Sequence, residues 1–212
     1  DMHVHAEGSW DSSATLNDYL QKAMELNEQG YRVDGLCISE HDRFKEPNPL
    51  PELLEQSGLA VMTIIEDSLY YGHALVILET EERYKEYMKT KYDLRGDDKL
   101  ERIESLGGVV IPTHPFRYSA NSFGLALDNL DRINIIESLN GTNSTKENER
   151  ALAFMAQHNG RFKGVGGSDA HYLREFAGCL TRFEDEVKDN ASLIEALRGG
   201  RFEAVWLKDT MQ

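Results

Sequence analysis

Long apolar runs are missing from this chain. No stretch approaches the ~20 residues that cross a bilayer as a helix, so no membrane span is expected. Cysteine is scarce: Cys37 and Cys179 are the only two in 212 residues, and neither has a CxxC neighbour. That excludes a disulfide framework and makes a cytoplasmic setting the simpler expectation. Positive charge is short as well, with 23 Lys and Arg against 37 Asp and Glu, a net charge of −14. This balance favours solubility and disfavours a broad nucleic-acid or anionic-membrane surface, since both need basic patches. An anionic substrate would require local positive charge, which bound metal ions supply. No basic segment followed by an apolar one opens the sequence, so no secretory signal is read. Repeats, low-complexity tracts and linkers are also lacking, and the length suits one domain, 1–212.

What the chain does have is histidine in a pattern. Seven occur, and the first two stand as Asp1-Met2-His3-Val4-His5. In an extended segment residues i and i+2 face the same way, so His3 and His5 aim at one point, as two ligands of one metal do. On the pair alone, one core and one surface histidine is an open alternative.

Apolar patterning predicts strands and helices in alternation: a helix over Thr15–Gly30, a strand over Val33–Ser39 running into Glu40-His41-Asp42, a short helix over Leu50–Ser57, and a strand over Ala60–Ile65 ending in Glu66. A further strand opens at His73. The link Asp67–Gly72 is too short for a parallel crossover, so a hairpin near Glu66–His73 is expected, placing His73 close to Glu66. Charged helix follows over Glu81–Leu106, broken around Arg95-Gly96-Asp97. Strands over Val109–Thr113, Ile133–Glu137, Phe162–Val165 and Phe202–Leu207 are interleaved with helices over Ser144–His158 and Asn190–Arg198. Such alternation implies an α/β fold with a mostly parallel sheet.

Six histidines (His3, His5, His41, His73, His114 and His171) fall at strand ends on one expected edge, where α/β barrels carry their chemistry. His158, in the last turn of a helix, is given no function. Asp11, Glu40, Asp42, Glu66, Glu137 and Asp169 accompany them. Imidazoles with carboxylates are the ligand set of Zn, Mn or Fe, and their number exceeds the need of one four-coordinate ion, so two or three divalent ions are expected. Each residue alone has a plain reading as a loop acid, turn residue or cap; the coincidence carries the weight.

The motifs Asp1-x-His3-x-His5, Ser39-Glu40-His41-Asp42, Glu66, His73, Thr113-His114-Pro115, Glu137-x-x-Asn140-Gly141 and Gly167-Ser168-Asp169-Ala170-His171 resemble, in order and rough spacing, the PHP (polymerase and histidinol phosphatase) superfamily. The resemblance implies a distorted (β/α)7 barrel with up to three metal ions and phosphoester hydrolysis. It implies that His3, His5 and Asp169 hold a first ion, that Glu66 bridges to a second held by His73 and His114, and that His41 and His171 hold a third. Relatives often place a histidine in the loop after the first motif; here Asp11 or Glu7 must serve, and Glu40 stands where Asp is usual.

The chemistry implied is metal-assisted attack of water on phosphorus, with Asp169 and His171 at the reacting centre. Arg117 is the candidate phosphate clamp and Arg174 a weaker one. No general acid is evident. A small phosphorylated substrate or a short nucleotide fits as partner. An amidohydrolase also opens with HxH, but often bridges its ions with a modified lysine, and Ala60–Ile65 holds none. A non-catalytic module of the same fold should have lost ligands.

Overall fold

The structure is a computed structural model and describes residues 1–119 and 121–211. Helix α1 (Leu16–Glu28) begins at a reciprocal cap: Asp18 N–H donates to Thr15 Oγ1 at 3.2 Å and Thr15 N–H donates to the Asp18 carboxylate at 2.8 Å. Leu16, Tyr19, Leu20, Ala23 and Leu26 are its buried face. There follow β1 (Gly35–His41), α2 (Pro51–Ser57), β2 (Ala60–Ser68), β3 (His73–Ile77), α3 (Glu81–Thr90), α4 (Asp97–Ser105), β4 (Val109–Pro112), β5 (Ile135–Asn140), α5 (Thr145–Gln157), β6 (Lys163–Gly167), β7 (Cys179–Phe183), α6 (Asn190–Gly199) and β8 (Phe202–Trp206). Strand β7 had no counterpart among the expected elements.

The fold is mixed α/β, and the expected hairpin is present, with Glu66 opposite Leu75 and Ser68 opposite His73. The full (β/α)7 barrel, expected in a distorted form with a mostly parallel sheet, is not shown among the described residues. The strands form three sheets, β1-β2-β3-β4, β5-β6 and β7-β8. Among the described residues β1–β2 and β5–β6 are the parallel strand pairs, and the isolated bridges of Val4 to Ile38 and Ala170 are parallel as well. The short turn after β2 reverses β3, and β4 then pairs antiparallel with β3. The sheet also stays open between β4 and β5. There the N–H of His114, just beyond β4, donates to the Glu137 side chain at 2.6 Å rather than to a β5 carbonyl. A carboxylate occupies the seam where a backbone ladder would run.

Residues 1–5 lie extended across the other seam. Cys37 N–H donates to Asp1 O at 2.8 Å and Ser39 N–H to Val4 O at 2.8 Å. On the opposite side Asp169 N–H donates to His3 O at 2.8 Å and His5 N–H to Ala170 O at 2.9 Å. Val4 alone makes β-bridges, to Ile38 and Ala170. Its side chain enters an apolar cluster with Leu20, Ile38 and Leu180, so the flanking His3 and His5 turn to the opposite side.

Behind the ligand-bearing strand ends lies a buried ion network. Glu66 and Asp67 are neighbours on β2 and face opposite ways. Asp67 pairs with Lys91 and accepts from Tyr87 Oη at 2.5 Å. Lys91 Nζ also donates to Asp42 O at 3.0 Å, tying the end of β1 to the same brace. Lys91 is 1% exposed. Lys91→Met should therefore lower unfolding stability by about 3 kcal/mol, because it leaves the buried Asp67 carboxylate with only Lys99 Nζ, at the longer distance of 3.8 Å, as a cation among the described residues. The double variant Lys91→Met/Asp67→Leu should recover much of that loss. Urea unfolding checks both; equal stability of single variant and wild type would remove the brace.

Candidate metal centre

Eight of the expected ligands converge around Glu66 and Asp169, and Asp11 joins them at the open end. His3 Nε2 lies 3.4 Å from Glu66 Oε1 and 3.4 Å from Asp169 Oδ1. His5 Nε2 is 3.4 Å from Glu66 Oε2 and from Asp169 Oδ1. His41 Nδ1, His73 Nδ1 and His114 Nε2 approach the Glu66 carboxylate at 3.0, 3.4 and 3.1 Å. Asp11 Oδ2 lies 3.4 Å from His41 Nε2 and 3.3 Å from His171 Nε2. The deep end is closed: His3 and His5 are fully buried, and Glu66 and Asp169 nearly so. At the other end His41, His73, His171 and Asp11 keep roughly a fifth of their side chains exposed, which opens that end to solvent.

The partners of the imidazoles fix which nitrogen carries the proton. His3 Nδ1 faces Glu137 Oε1 at 3.0 Å, and a carboxylate only accepts, so the Nδ1–H donates there. The Ser9 hydroxyl donates to Glu40, so its oxygen accepts from His5 Nδ1–H at 3.1 Å. His171 Nδ1–H donates to the Asp169 carbonyl at 3.0 Å. In the neutral rings of these three histidines Nε2 is then a lone pair. Those of His3 and His5 face each other at 3.0 Å, and that of His171 faces the Asp11 carboxylate. Lone pairs so arranged repel unless a cation or a proton stands between them. In addition, Asp11 Oδ1 and Glu66 Oε2 are buried without a hydrogen-bond partner among the described residues; His41 Nδ1, close to the latter, is not aligned to donate. The donors thus fit divalent metal ions. Among the described residues three groups have the reach to hold one: His3, His5 and Asp169; His41, Glu66 and His73; His5, His41 and His171.

The protonation of the protein groups agrees with that electrostatic demand. Burial alone would push the His3 imidazole down, but Asp169, Glu137 and Glu66 outweigh it and hold it well above its usual value. His5 is likewise depressed by burial, yet Asp169 and Glu66 lift it to about 8. Burial would raise Glu66 and Asp169; His3 foremost, with His114 and His5, pulls them well below the usual carboxylate range. His171 is lowered, by burial and then by His5.

The backbone is bent to make this cluster. Asp42, His114 and Asp169 hold φ at 57°, 31° and 56°, in the left-handed region that costs a non-glycine residue about 1–3 kcal/mol. Gly167 is required for a different reason: a Cβ there would come 2.5 Å from His3 Cβ and 2.7 Å from Glu137 Oε1.

Several expectations change in detail. His41, expected beside His171, also reaches Glu66 and groups with His73. His114 reaches Glu66 but falls in none of the three groups among the described residues. Glu7 is not the loop acid, since its carboxylate accepts from Leu16 N–H at 3.1 Å at the start of α1; Asp11 faces the site. Arg117 donates from Nη2 to Asp169 at 2.7 Å, Asn140 at 2.9 Å and Thr142 at 2.7 Å, and from Nε to Asn143 at 2.8 Å. It orients Asp169, and only Nη1 is without a partner among the described residues. Arg174 is turned outward, 75% exposed beside Glu175. His158, left without a function, bonds Phe154 O and Asp128 away from the cluster. Ser9 was missed. A lone serine in a loop has no periodic signal, and the only hint was the longer acid Glu40, whose carboxylate reaches both Gly8 N–H, at 2.8 Å, and Ser9.

Glu137 sets the tautomer of His3, and groups in that position typically contribute 10–100-fold to metal affinity. Glu137→Gln should weaken metal binding by about that factor in a chelator competition. Unchanged affinity would show that His3 needs no such support.

Residues 145–202 match the PHP-associated family. No curated protein matches the chain. Among solved structures, the lesion-specific endonuclease PfuEndoQ from Pyrococcus furiosus aligns with a TM-score of 0.69 at 17% identity, covering 96% of this chain and 56% of that one. A Bifidobacterium adolescentis protein assigned as a metal-dependent phosphoesterase gives 0.57 at 17%, covering 94% and 96%. An amidohydrolase from Chromobacterium violaceum, solved with bound sulfate and no metal, gives 0.62 at 17%, covering 95% and 96%. At such identities the likeness is one of fold.

Proposed function

We propose that the chain is a member of the PHP superfamily and a metal-dependent hydrolase that cleaves a phosphate ester, a reading supported by the PHP-associated match over residues 145–202 and by the fold shared with the endonuclease and the phosphoesterase. The observation that carries this reading is the pair of imidazole lone pairs 3.0 Å apart, with Glu66 and Asp169 at 3.4 Å from both. Such a set has little use without a cation.

Counting donors favours two ions. His5 has only Nε2 to offer, because Nδ1 is held by Ser9. The group of His3, His5 and Asp169 and the group of His41, Glu66 and His73 share no residue and can be filled together; the third group borrows from both. A third ion would rest on Asp11 and His171. Bound there, divalent ions would lower the pKa of water to near neutrality and offset the charge of phosphoryl oxygens.

The chain's own groups do the rest. Glu66 spans the two donor groups, Asp169 is fixed by Arg117, and the partly exposed His41, His73, His171 and Asp11 line the mouth through which an ester would reach the buried end. Arg117 Nη1 is the donor left for a phosphate oxygen.

The endonuclease and phosphoesterase neighbours support ester hydrolysis. The amidohydrolase neighbour favours a second reading, amide hydrolysis at the same centre; the absence of lysine from β2 speaks against its usual bridging group. The test is metal analysis after reconstitution with Mn²⁺, Zn²⁺ or Fe²⁺, with phosphate-ester and amide panels run on wild type and His5→Ala. Phosphate release lost in His5→Ala is the expected result. A protein that takes up no metal and cleaves neither class would end the proposal.

A further inference from the structure

A groove of about 480 Å³ opens beside the metal centre, between the loop after β4 and one face of α5. Phe116, Phe154, Tyr118 and Leu125 line it with apolar surface, and Arg117 and Arg150 bring positive charge. Arg117 connects the two places: it lines the groove and holds Asp169. The loop is docked on α5 through Tyr118 N–H, which donates to Glu147 at 2.8 Å, so the groove wall is fixed to the helix.

Two features point to a ligand. Tyr118 and Leu125, 75% and 71% exposed, line the same groove as Phe116 and Phe154, so their apolar surface is gathered in one concave place and not scattered. The Arg150 guanidinium stacks 4.7 Å from the Tyr118 ring and has no carboxylate partner among the described residues, in a chain with 37 acidic side chains. An aromatic ring backed by an uncommitted guanidinium suits a planar, electron-rich ring carried by an anion.

We propose that this groove binds the aromatic ring of the substrate's alcohol portion while its phosphate lies at the metal centre. The inference rests on the hydrolase reading and narrows it to ring-bearing phosphate esters. An aryl ester and a nucleoside monophosphate offer the same ring chemistry.

The test compares phenyl phosphate, adenosine 5′-monophosphate and glycerol 3-phosphate. Tyr118→Ala should raise KM for a ring-bearing ester about tenfold, leave KM for the glycerol ester and kcat unchanged, and be rescued by Tyr118→Phe. Arg150→Ala should act in the same direction. Loss confined to phenyl phosphate assigns the ring to an aryl group, and loss confined to the nucleotide assigns it to a nucleobase; either supports the subsite. Equal loss on all three esters, or none, overturns it. A wild-type protein without phosphatase activity would sink the hydrolase reading on its own. The groove would then be judged by titrating the metal-loaded protein with phenylphosphonate against inorganic phosphate. Tighter binding of the phosphonate, abolished in Tyr118→Ala, upholds the ring site; equal binding refutes it.

Discussion

Glu66→Gln should reduce hydrolysis by at least about 10²–10³-fold, the scale seen when a buried electrostatic group at a reacting centre is removed. Its carboxylate lies within 3.4 Å of a nitrogen of His3, His5, His41, His73 and His114. Five rings depend on one negative charge, and an amide of the same shape removes it. Metal content should fall along with kcat. Circular dichroism should hardly change, because the residue sits at a strand end whose pairing with Leu75 is made by the backbone. A Glu66→Gln protein with full metal content and near wild-type turnover would show that the ions, if bound, are held by the remaining donors.

Stripping the metal should cost the protein roughly 10 °C in Tm. A ligand at 100–1,000 times its Kd stabilises by about 3–4 kcal/mol, and a domain of this size shifts by about 2–4 °C per kcal/mol. The pH dependence gives the effect a sign. In the metal-free protein His5 titrates at about 8, above its usual value. A raised pKa contributes stability that is complete below about 6.5 and is lost as pH climbs through about 8. The proton therefore holds the cluster together in acid, and a cation must displace it. The Tm gain on adding Mn²⁺ or Zn²⁺ should accordingly grow from pH 6 to about 8 and then level off. Thermal scans with and without chelator across that range provide the measurement. A gain that shrinks with rising pH would mean the metal binds away from His3 and His5.

The site was far more legible than the sheet that carries it. His3-x-His5 and Asp169-x-His171 are dense in ligating groups, the first with both rings on one face of an extended segment, and Glu66 ends an apolar run where an unpaired charge is costly. The hairpin was legible because the link after β2 is too short for any other connection. Closure was not, because it depends on whether β4 and β5 exchange backbone bonds, and here His114 N–H prefers the Glu137 side chain. Ser9 and the partnership of Arg117 with Asp169 were hidden for a related reason. They join parts of the chain 31 and 52 positions apart, and nothing local encodes them. The choice between Glu7 and Asp11 turned on a helix cap, visible only once α1 was seen to begin at Leu16.

The extended opening residues wedge between Ser39 and Ala170, and His3 must meet Glu137 across 134 positions of chain. Assembly of the cage should therefore come late in folding, because the His3–Glu137 contact closes a loop of 134 residues. Contacts of such long range make folding slow. Ions can lock the finished protein but cannot guide its early stages, so adding metal during refolding should slow unfolding far more than it speeds folding.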